Sequence, residues 1–255
     1  MLVSGFDRQA PVPDRPAILE TPAGRGLPRS GWRLRPLFAE RLWSHPGSPD
    51  VVYEIPVGGG PEGGTEAMIN ACYPLFQDVV LGGGIPLHAA LIARGRRGIG
   101  LAAAGGTGKS TCSRRIPPPW KAMGDDTFLL LPGESGGYEA HPFPTWSDYL
   151  WRRSKRTWDV SRSVPLEAIF FLKQAPTDKV TPIGEGEAAI YLGRSSNEVL
   201  AGYFRQFDPE TSRALRSRIF DAACRAARTT PAFILEVSLT GRFWEEIEKV
   251  LEDSR

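Results

Sequence analysis

Short apolar runs bounded by glycine, proline or charged residues are the main pattern along the last two-thirds of the chain. A run of about four to eight apolar residues between turn residues is typical of a strand that is buried on both faces. The clearest runs lie at residues 98–104, 127–131, 166–173 and 233–237, and a fifth, at 85–93, follows three glycines. The pattern therefore predicts a strand-rich core.

Helical periodicity is less common. Asp208-Pro209-Glu210 supplies an N-cap residue, a proline at the first helical position and an acid in the first turn. Apolar residues then recur every three or four positions, which predicts a helix that extends to about Arg228. An amphipathic closing helix is predicted over residues 243–251. The helix over residues 109–116 is expected to be short, because Pro117-Pro118-Pro119 prevents its continuation.

The first part of the chain has a different composition. Residues 1–30 are rich in proline, glycine and arginine and have little apolar periodicity, which predicts a disordered or extended arm. Residues 31–78 contain apolar runs, such as Val51-Val-Tyr-Glu-Ile55, and predict a small β-rich region. A glycine-rich turn is expected over residues 58–64. Residues 79–255 form the predicted core domain.

Composition limits the class of protein. A chain of 255 residues can bury one substantial core, or a core plus a small appendage. No apolar run approaches the roughly 20 residues of a membrane helix, and a net charge of +2 argues against a large nucleic-acid surface. The three cysteines are widely spaced, which predicts neither a disulfide framework nor a zinc site. We therefore expect a cytoplasmic protein that binds neither membranes nor nucleic acid.

One glycine-rich segment carries most of the chemical information. The apolar run at 98–104 leads directly into Gly105-Gly106-Thr107-Gly108-Lys109-Ser110-Thr111, the pattern of a phosphate-binding loop (P-loop) between a strand and a helix. Glycines let successive backbone N–H groups turn towards a polyphosphate. Lys109 would then reach the β- and γ-phosphates, and the Ser110 hydroxyl would bind Mg²⁺. The usual pattern has a glycine where this chain has Ala103. The segment predicts binding of ATP, or another nucleoside triphosphate, with Mg²⁺.

An acidic pair follows the loop. Asp125-Asp126 leads into the apolar run at 127–131. In a phosphoryl-transfer site one carboxylate helps to hold Mg²⁺, and another accepts the proton of the attacking hydroxyl. Side chains of adjacent strand residues point to opposite faces, so the two aspartates can serve different roles. Alternatively, the pair is an aspartate-rich turn without a catalytic role.

His88 lies in the run that precedes the loop. A single histidine in an apolar strand is more often a hydrogen-bonded structural residue than a catalyst. The order of histidine, phosphate-binding loop and Asp-Asp pair makes His88 a candidate site residue here.

This order resembles the HPr kinase/phosphorylase group and its smaller relatives. The resemblance implies an α/β fold with an HPr kinase-type P-loop core, similar to that of phosphoenolpyruvate carboxykinase, in which a mixed, strand-rich sheet carries few helices. It implies that Lys109 binds phosphate, that Ser110 binds Mg²⁺, and that Asp126 deprotonates the acceptor hydroxyl. His88 falls on the group's active-site histidine. The group's downstream Glu-Ile-Arg-Gly signature is missing after Asp126, which counts against phosphorylase activity and against HPr as the substrate.

A closer resemblance is to the SynChlorMet cassette protein C family, compact HPr kinase-like proteins associated with peptide-modification gene clusters. It extends from about Tyr73 to the C-terminus. The strings that carry it are Gly83-Gly-Ile-Pro-Leu-His88-Ala-Ala-Leu91, Gly105-Gly-Thr-Gly-Lys-Ser-Thr-Cys112, Arg115-Ile-Pro-Pro-Pro-Trp120, His141-Pro-Phe-Pro-Thr-Trp-Ser147 and Ser238-Leu-Thr-Gly-Arg-Phe-Trp244. The resemblance implies a serine or threonine of a ribosomally made precursor peptide as the acceptor, and peptide-modifying enzymes as partners. HPr kinases form hexamers, so a homo-oligomer is also open.

The sequence thus predicts an ATP- and Mg²⁺-dependent kinase that acts on a hydroxyl group. Asp126 would be the base, Asp125 would support Mg²⁺, and Lys109 with the loop amides would stabilise the developing charge. One alternative is a small-molecule kinase on the same scaffold. Another is a nucleotide-dependent binding or regulatory protein that transfers no phosphate.

Two further segments have open interpretations. Residues 151–156 are basic and contain Arg152 and Arg153, which are the first candidates for a phosphate contact, although a solvated helix face is the default. Arg114 and Arg115 are the next candidates. The proline-rich segment at 141–146 is either part of the active-site mouth or a rigid structural turn.

Overall fold

A computed structural model describes residues 2–58, 70–134, 136–144 and 158–253. The chain divides into two compact units, Met1–Pro74 and Leu75–Arg255. The described residues form an α/β protein with mixed, strand-rich sheets and five helices. The basic segment at 151–156 and most of the predicted glycine-rich turn at 58–64 lie outside the described residues.

The first unit is built on a four-stranded sheet in the order β1-β4-β3-β2. Its strands are β1 (Leu2–Phe6), β2 (Arg33–Leu37), β3 (Glu40–His45) and β4 (Ser48–Pro56). Strands β2, β3 and β4 form an antiparallel meander, and β1 pairs with β4 in parallel. The small β-rich region predicted from the apolar runs is therefore a meander extended by one strand from the beginning of the chain.

The sequence predicted a disordered or extended arm over residues 1–30, and the structure shows ordered elements there. Besides β1, this segment contains two 3-10 turns, Ala17–Glu20 and Pro22–Gly24. Ile18 and Leu19 are buried in one cluster with Trp43. Composition alone missed this packing because two adjacent apolar residues give no periodic signal, yet they bury enough surface to hold a proline-rich segment on the sheet.

A buried carboxylate fixes this segment. Glu54 of β4 has no exposed surface and accepts hydrogen bonds from the Ala17 amide and the Trp43 indole, each at 2.9 Å. The guanidinium of Arg41 lies 3.9 Å from the same carboxylate. Buried charge is tolerated only when it is hydrogen-bonded and paired, and here both conditions are met.

The second unit contains an eight-stranded sheet. Its strands are β5 (Ile85–Arg94), β6 (Arg97–Ala102), β7 (Lys121–Gly124), β8 (Thr127–Pro132), β9 (Tyr138–Pro142), β10 (Val164–Gln174), β11 (Lys179–Pro182) and β12 (Ala232–Val237). The order is β11-β12-β10-β6-β5-β8-β9, and β7 pairs with β5 beside β8. The strands predicted at 127–131, 166–173 and 233–237 are confirmed as β8, β10 and β12.

Strand direction brings the chemically interesting segments to one edge of this sheet. Strands β6, β10 and β12 are mutually parallel, so their carboxyl ends lie together. The glycine-rich loop follows β6 at that edge. Strand β5 is antiparallel to β6, and its Ala89 pairs with Ala102, so His88 lies at the same edge. Ligands of open α/β sheets bind outside the carboxyl ends of parallel strands.

The helices are α1 (Tyr73–Leu81), α2 (Lys109–Arg115), α3 (Glu185–Phe204), α4 (Pro209–Thr229) and α5 (Phe243–Asp253). The predictions for α2, α4 and α5 are confirmed, including the N-cap of α4, where the Asp208 carboxylate accepts from the amides of Glu210 and Thr211. Helix α5 covers a core in which the rings of Phe170 and Phe233 stack at 5.0 Å.

Helix α3 was not predicted. Its buried side includes Gly193, Ser195 and Ser196, which weaken the apolar repeat that would otherwise identify a helix. Small side chains allow α3 to pack closely on α4 and β5. Helix α3 also faces the edge at which the glycine-rich loop lies.

The contacts of Glu54 lead to a stability prediction for the first unit. Glu54→Gln replaces a carboxylate oxygen by an N–H₂ group, so one of the two donors loses its acceptor, at a cost of about 1–3 kcal/mol. We expect amide hydrogen exchange at Ala17–Leu19 to accelerate roughly 10- to 100-fold. The control is Glu20→Gln, because the Glu20 side chain is 68% exposed in a surface ion pair with Arg15. Equal exchange in the two variants would contradict the role of Glu54.

Candidate functional site

The glycine-rich loop connects β6 to α2 and has the conformation that its glycines permit. Gly106 and Gly108 have φ angles of 78° and 119°, in the region that side chains with a Cβ disfavour. No atom lies within 4 Å of the position that a Cβ would occupy on Gly105, Gly106 or Gly108. The positive φ angles therefore account for glycine at positions 106 and 108. Crowding does not, because the Cβ directions of all three glycines point into open space.

Lys109 folds back over the loop. Its Nζ donates a hydrogen bond of 2.8 Å to the carbonyl oxygen of Ala103, and the residue is only 6% exposed. Burial lowers the pKa of Lys109, although the carboxylates of Asp126, Glu198 and Asp125 act in the opposite direction. The contact with Ala103 uses a backbone oxygen, which alanine supplies as well as glycine. The departure from the usual pattern at this position therefore leaves the contact intact.

The two aspartates lie in the gap between β7 and β8, opposite the middle of β5. The residues on either side of the gap pair with β5 in the same register, because Gly124 pairs with Leu91 and Thr127 pairs with His88. Asp125 is 2% exposed, whereas the side chain of Asp126 is 42% exposed. The adjacent carboxylates therefore have different surroundings.

Asp125 is held by contacts with the loop helix and with a tryptophan. The Ser110 hydroxyl of α2 donates to the backbone oxygen of Asp125 at 3.4 Å. The indole N–H of Trp158 donates to the Asp125 carboxylate at 3.1 Å. The serine that follows the loop lysine thus lies beside the first residue of the acidic pair.

His88 lies between two carboxylates. Its Nε2 is 3.3 Å from Asp126 Oδ1, and its Nδ1 is 2.7 Å from Glu198 Oε2 on α3. The Ser195 hydroxyl, one turn earlier on α3, donates to the His88 carbonyl at 3.3 Å. The hydrogen bond with Asp126 raises the pKa of His88. Burial opposes this rise, and Glu198 adds to it.

Asp126 responds in the opposite direction. Burial would raise the pKa of its carboxyl, but the hydrogen bond and charge of His88 outweigh that effect, with help from Lys109 and from the Thr127 hydroxyl. The pKa of Asp126 is therefore lower than that of a free aspartate. At neutral pH it is an ionised carboxylate paired with an imidazole of increased basicity.

The structure brings together the residues that the sequence singled out, Lys109, Ser110, His88 and both aspartates. It adds Glu198 and Trp158, which the sequence did not indicate. Glu198 lies on the unpredicted helix α3. The one available signal was spacing, since Tyr191, Ser195 and Glu198 recur every three or four residues, on one face of a helix. Trp158 had no signal, because its role depends on the fold bringing it to Asp125.

A cavity of 570 Å³ adjoins the loop at the carboxyl ends of β6 and β10. Its lining includes Ala103, Ala104, Tyr191, Arg194 and Glu198. Its volume is in the range of small-molecule sites, about 300–1,000 Å³. Glu198 therefore touches both this cavity and His88.

The structure also bears on the four arginines and the proline-rich segment that the sequence left open. Arg115 is not placed for a phosphate contact, because its guanidinium donates to the carbonyl oxygens of Ser238 and Gly241 and so holds a turn after β12. Arg114 is exposed on α2, and Arg152 and Arg153 lie outside the described residues. In the proline-rich segment, Phe143 is buried against Phe76 with ring centroids 4.8 Å apart, which favours a structural role there.

The donors at the site fit a metal that arrives with a nucleotide. Within the described ranges, no cluster of three or more histidine, cysteine or acidic side chains is placed to hold a metal ion. Mg²⁺ in nucleotide sites is usually bound by one or two carboxylates together with phosphate oxygens and water. The Ser110 hydroxyl and the Asp125 carboxylate are donors of that kind.

No helix within the described part of the chain is long and apolar enough to cross a membrane.

The fold and the site define an α/β protein in which a glycine-rich loop, a buried lysine and an acidic pair lie at one edge of a mixed sheet. The family model for SynChlorMet cassette protein ScmC matches residues 65–252, and the chain belongs to that family. Among curated proteins none matches the chain.

The arrangement around His88 leads to a pH prediction. Asp126→Asn removes the larger of the two carboxylate effects, so we expect the pKa of His88 to fall, and Glu198→Gln should lower it by less. A raised histidine pKa stabilises the fold at pH values below the pKa of a free histidine, and this contribution disappears as the pH rises through the raised value. NMR titration of the imidazole measures the His88 pKa in both variants. Asp221→Asn, an exposed change on α4, is the control. An unchanged His88 pKa in Asp126→Asn would contradict the pairing.

Proposed function

We propose that this protein is an HPr kinase-like, ATP- and Mg²⁺-dependent kinase that transfers the γ-phosphoryl group to a hydroxyl, a serine or threonine of a precursor peptide. The observation that carries the proposal is the convergence of two distant motifs. The loop helix contacts the acidic pair through Ser110 and Asp125, and the charges of Lys109 and Asp126 act on each other. The alternative, a glycine-rich turn with a surface lysine, predicts neither the burial of Lys109 nor the contact between Ser110 and Asp125.

The donor side of the reaction uses the loop. Backbone amides of the loop would bind the phosphates, and the amine of Lys109 would stabilise charge on the β- and γ-phosphates. Ser110 and Asp125 would hold Mg²⁺, which neutralises charge on the transferring phosphoryl group when it is bound. The burial of Lys109 and Asp125 strengthens these interactions relative to water.

On the acceptor side, Asp126 receives the proton. The acceptor oxygen forms a bond to the γ-phosphorus, the bond between this phosphorus and the ADP oxygen breaks, and the hydroxyl proton passes to Asp126. A carboxylate with a lowered pKa is a weak base. Phosphoryl transfer through a loose transition state needs little deprotonation before the bond forms, so the main task of Asp126 is to orient the hydroxyl.

His88 and Glu198 support this task. An imidazole hydrogen-bonded on both sides has a fixed ring orientation, and it fixes one oxygen of Asp126. The other oxygen of Asp126 accepts from Thr127 at 3.2 Å and belongs to a side chain that is 42% exposed, so an acceptor can reach it. Glu198 is a positioning residue in this scheme.

The peptide acceptor rests on the resemblance to proteins of peptide-modification clusters, since the family match itself names no acceptor. A specific observation favours a second candidate, a small-molecule kinase. The cavity of 570 Å³ lies beside Glu198 and the loop and is large enough for a small hydroxylated acceptor. The two candidates share the donor site and differ only in the acceptor.

The base assignment has a direct test. Asp126→Asn should lower phosphoryl transfer by about 10²- to 10⁴-fold, because it removes both the group that orients the hydroxyl and the proton acceptor, while ATP affinity changes little. Lys109→Ala should weaken both transfer and ATP binding. Transfer of radiolabelled phosphate to candidate precursor peptides, free serine and small alcohols measures activity, and calorimetry measures binding.

The same substitution at an exposed site, Asp221→Asn, is the control and should retain full activity. Full transfer by Asp126→Asn would show that another group is the base. Tight ATP binding by the wild-type protein with no transfer to any acceptor would instead favour a nucleotide-dependent binding protein.

A further inference from the structure

Trp158 touches the acidic pair from a segment that neither motif includes. It lies shortly before β10, and its indole N–H donates to Asp125 Oδ1 at 3.1 Å. Asp125 is 2% exposed, and its backbone oxygen also accepts from the Ser110 hydroxyl. Asp125 is therefore held from the loop helix at its backbone and from Trp158 at its carboxylate.

The chemical type of this donor is informative. An indole N–H is a neutral donor, so it orients a carboxylate without cancelling its charge. The adjacent Asp126 is instead bound by an imidazole that shares its proton and charge. Second-shell hydrogen bonds of this kind fix metal-binding carboxylates and commonly contribute 10- to 100-fold to metal affinity.

The ring of Trp158 has a separate environment from its N–H. It is half-buried and lines a cavity of 590 Å³ together with Lys121, Met123 and Val164. Packing of the ring and hydrogen bonding of the N–H can therefore be altered independently. Phenylalanine keeps an aromatic ring and loses the donor, whereas glutamine loses the ring and keeps a neutral N–H donor.

We propose that Trp158 is a positioning residue that orients the Asp125 carboxylate for the divalent cation that accompanies the nucleotide. This inference rests on the proposed function, because it takes Asp125 as the carboxylate that supports the metal. It extends the site to a residue that neither the loop nor the acidic pair identifies.

The test is a titration of Mn²⁺ into the full-length protein with ADP, followed by electron paramagnetic resonance. Trp158→Phe should weaken Mn²⁺ binding about 10-fold, the lower end of second-shell effects, and leave metal-free ADP affinity unchanged. Trp158→Gln should bind Mn²⁺ more tightly than Trp158→Phe because it retains a donor. A matched control is Trp120→Phe. The Trp120 indole also donates to a carboxylate, that of Glu248 on α5, at 2.8 Å.

The outcomes separate the two proposals. Wild-type Mn²⁺ affinity in Trp158→Phe, or equal loss in the Phe and Gln variants, would overturn the role of the indole N–H. Wild-type Mn²⁺ affinity in Asp125→Asn would instead overturn the metal assignment within the proposed function. Thermal unfolding of each variant checks folding, and if Trp158→Phe is unfolded, the comparison of folded Trp158→Gln with wild type decides.

Discussion

Mutual compensation of charge at the carboxyl edge of β6 and β10 is the constraint on which the candidate site depends. Lys109 is almost completely buried, and desolvation lowers its pKa, yet nearby carboxylates favour its charged form. Asp126 is subject to the same opposition with the signs reversed. A buried charge that loses its partners costs several kcal/mol, and this applies to Lys109. The Asp126 side chain is 42% exposed, so water compensates part of its charge.

This constraint explains why a helix outside both motifs belongs to the site. A protonated His88 has two N–H donors, and Asp126 accepts from only one of them, Nε2. Helix α3 supplies the second carboxylate through Glu198 and fixes the backbone of β5 through Ser195. The close packing of α3 on β5 depends on its buried glycine and serines, so the residues that hide the helix from sequence analysis are those that bring Glu198 within reach.

Local structure was predictable from the sequence, and long-range geometry was not. The loop, its short helix and the N-cap at Asp208 follow from local backbone preferences, which depend only on neighbouring residues. Glu54, Glu198 and Trp158 act through partners 11 to 110 positions away, and no local pattern encodes such pairs. The segment at Ile18 is a similar case, because its order comes from a buried carboxylate on β4 and from burial of Ile18 and Leu19 against Trp43, which no local pattern indicates.

The balance of charge also supports the proposed requirement for a divalent cation. The carboxylates of Asp125 and Asp126 lie close to Lys109, and their charges act on its amine. A nucleoside triphosphate carries several negative charges, which Lys109 and the loop amides would attract and the carboxylate of Asp125 would repel. A divalent cation held by Asp125 would reverse the sign of that repulsion. The neutral indole of Trp158 preserves the negative charge that such a cation would need, whereas an arginine at that position would remove it.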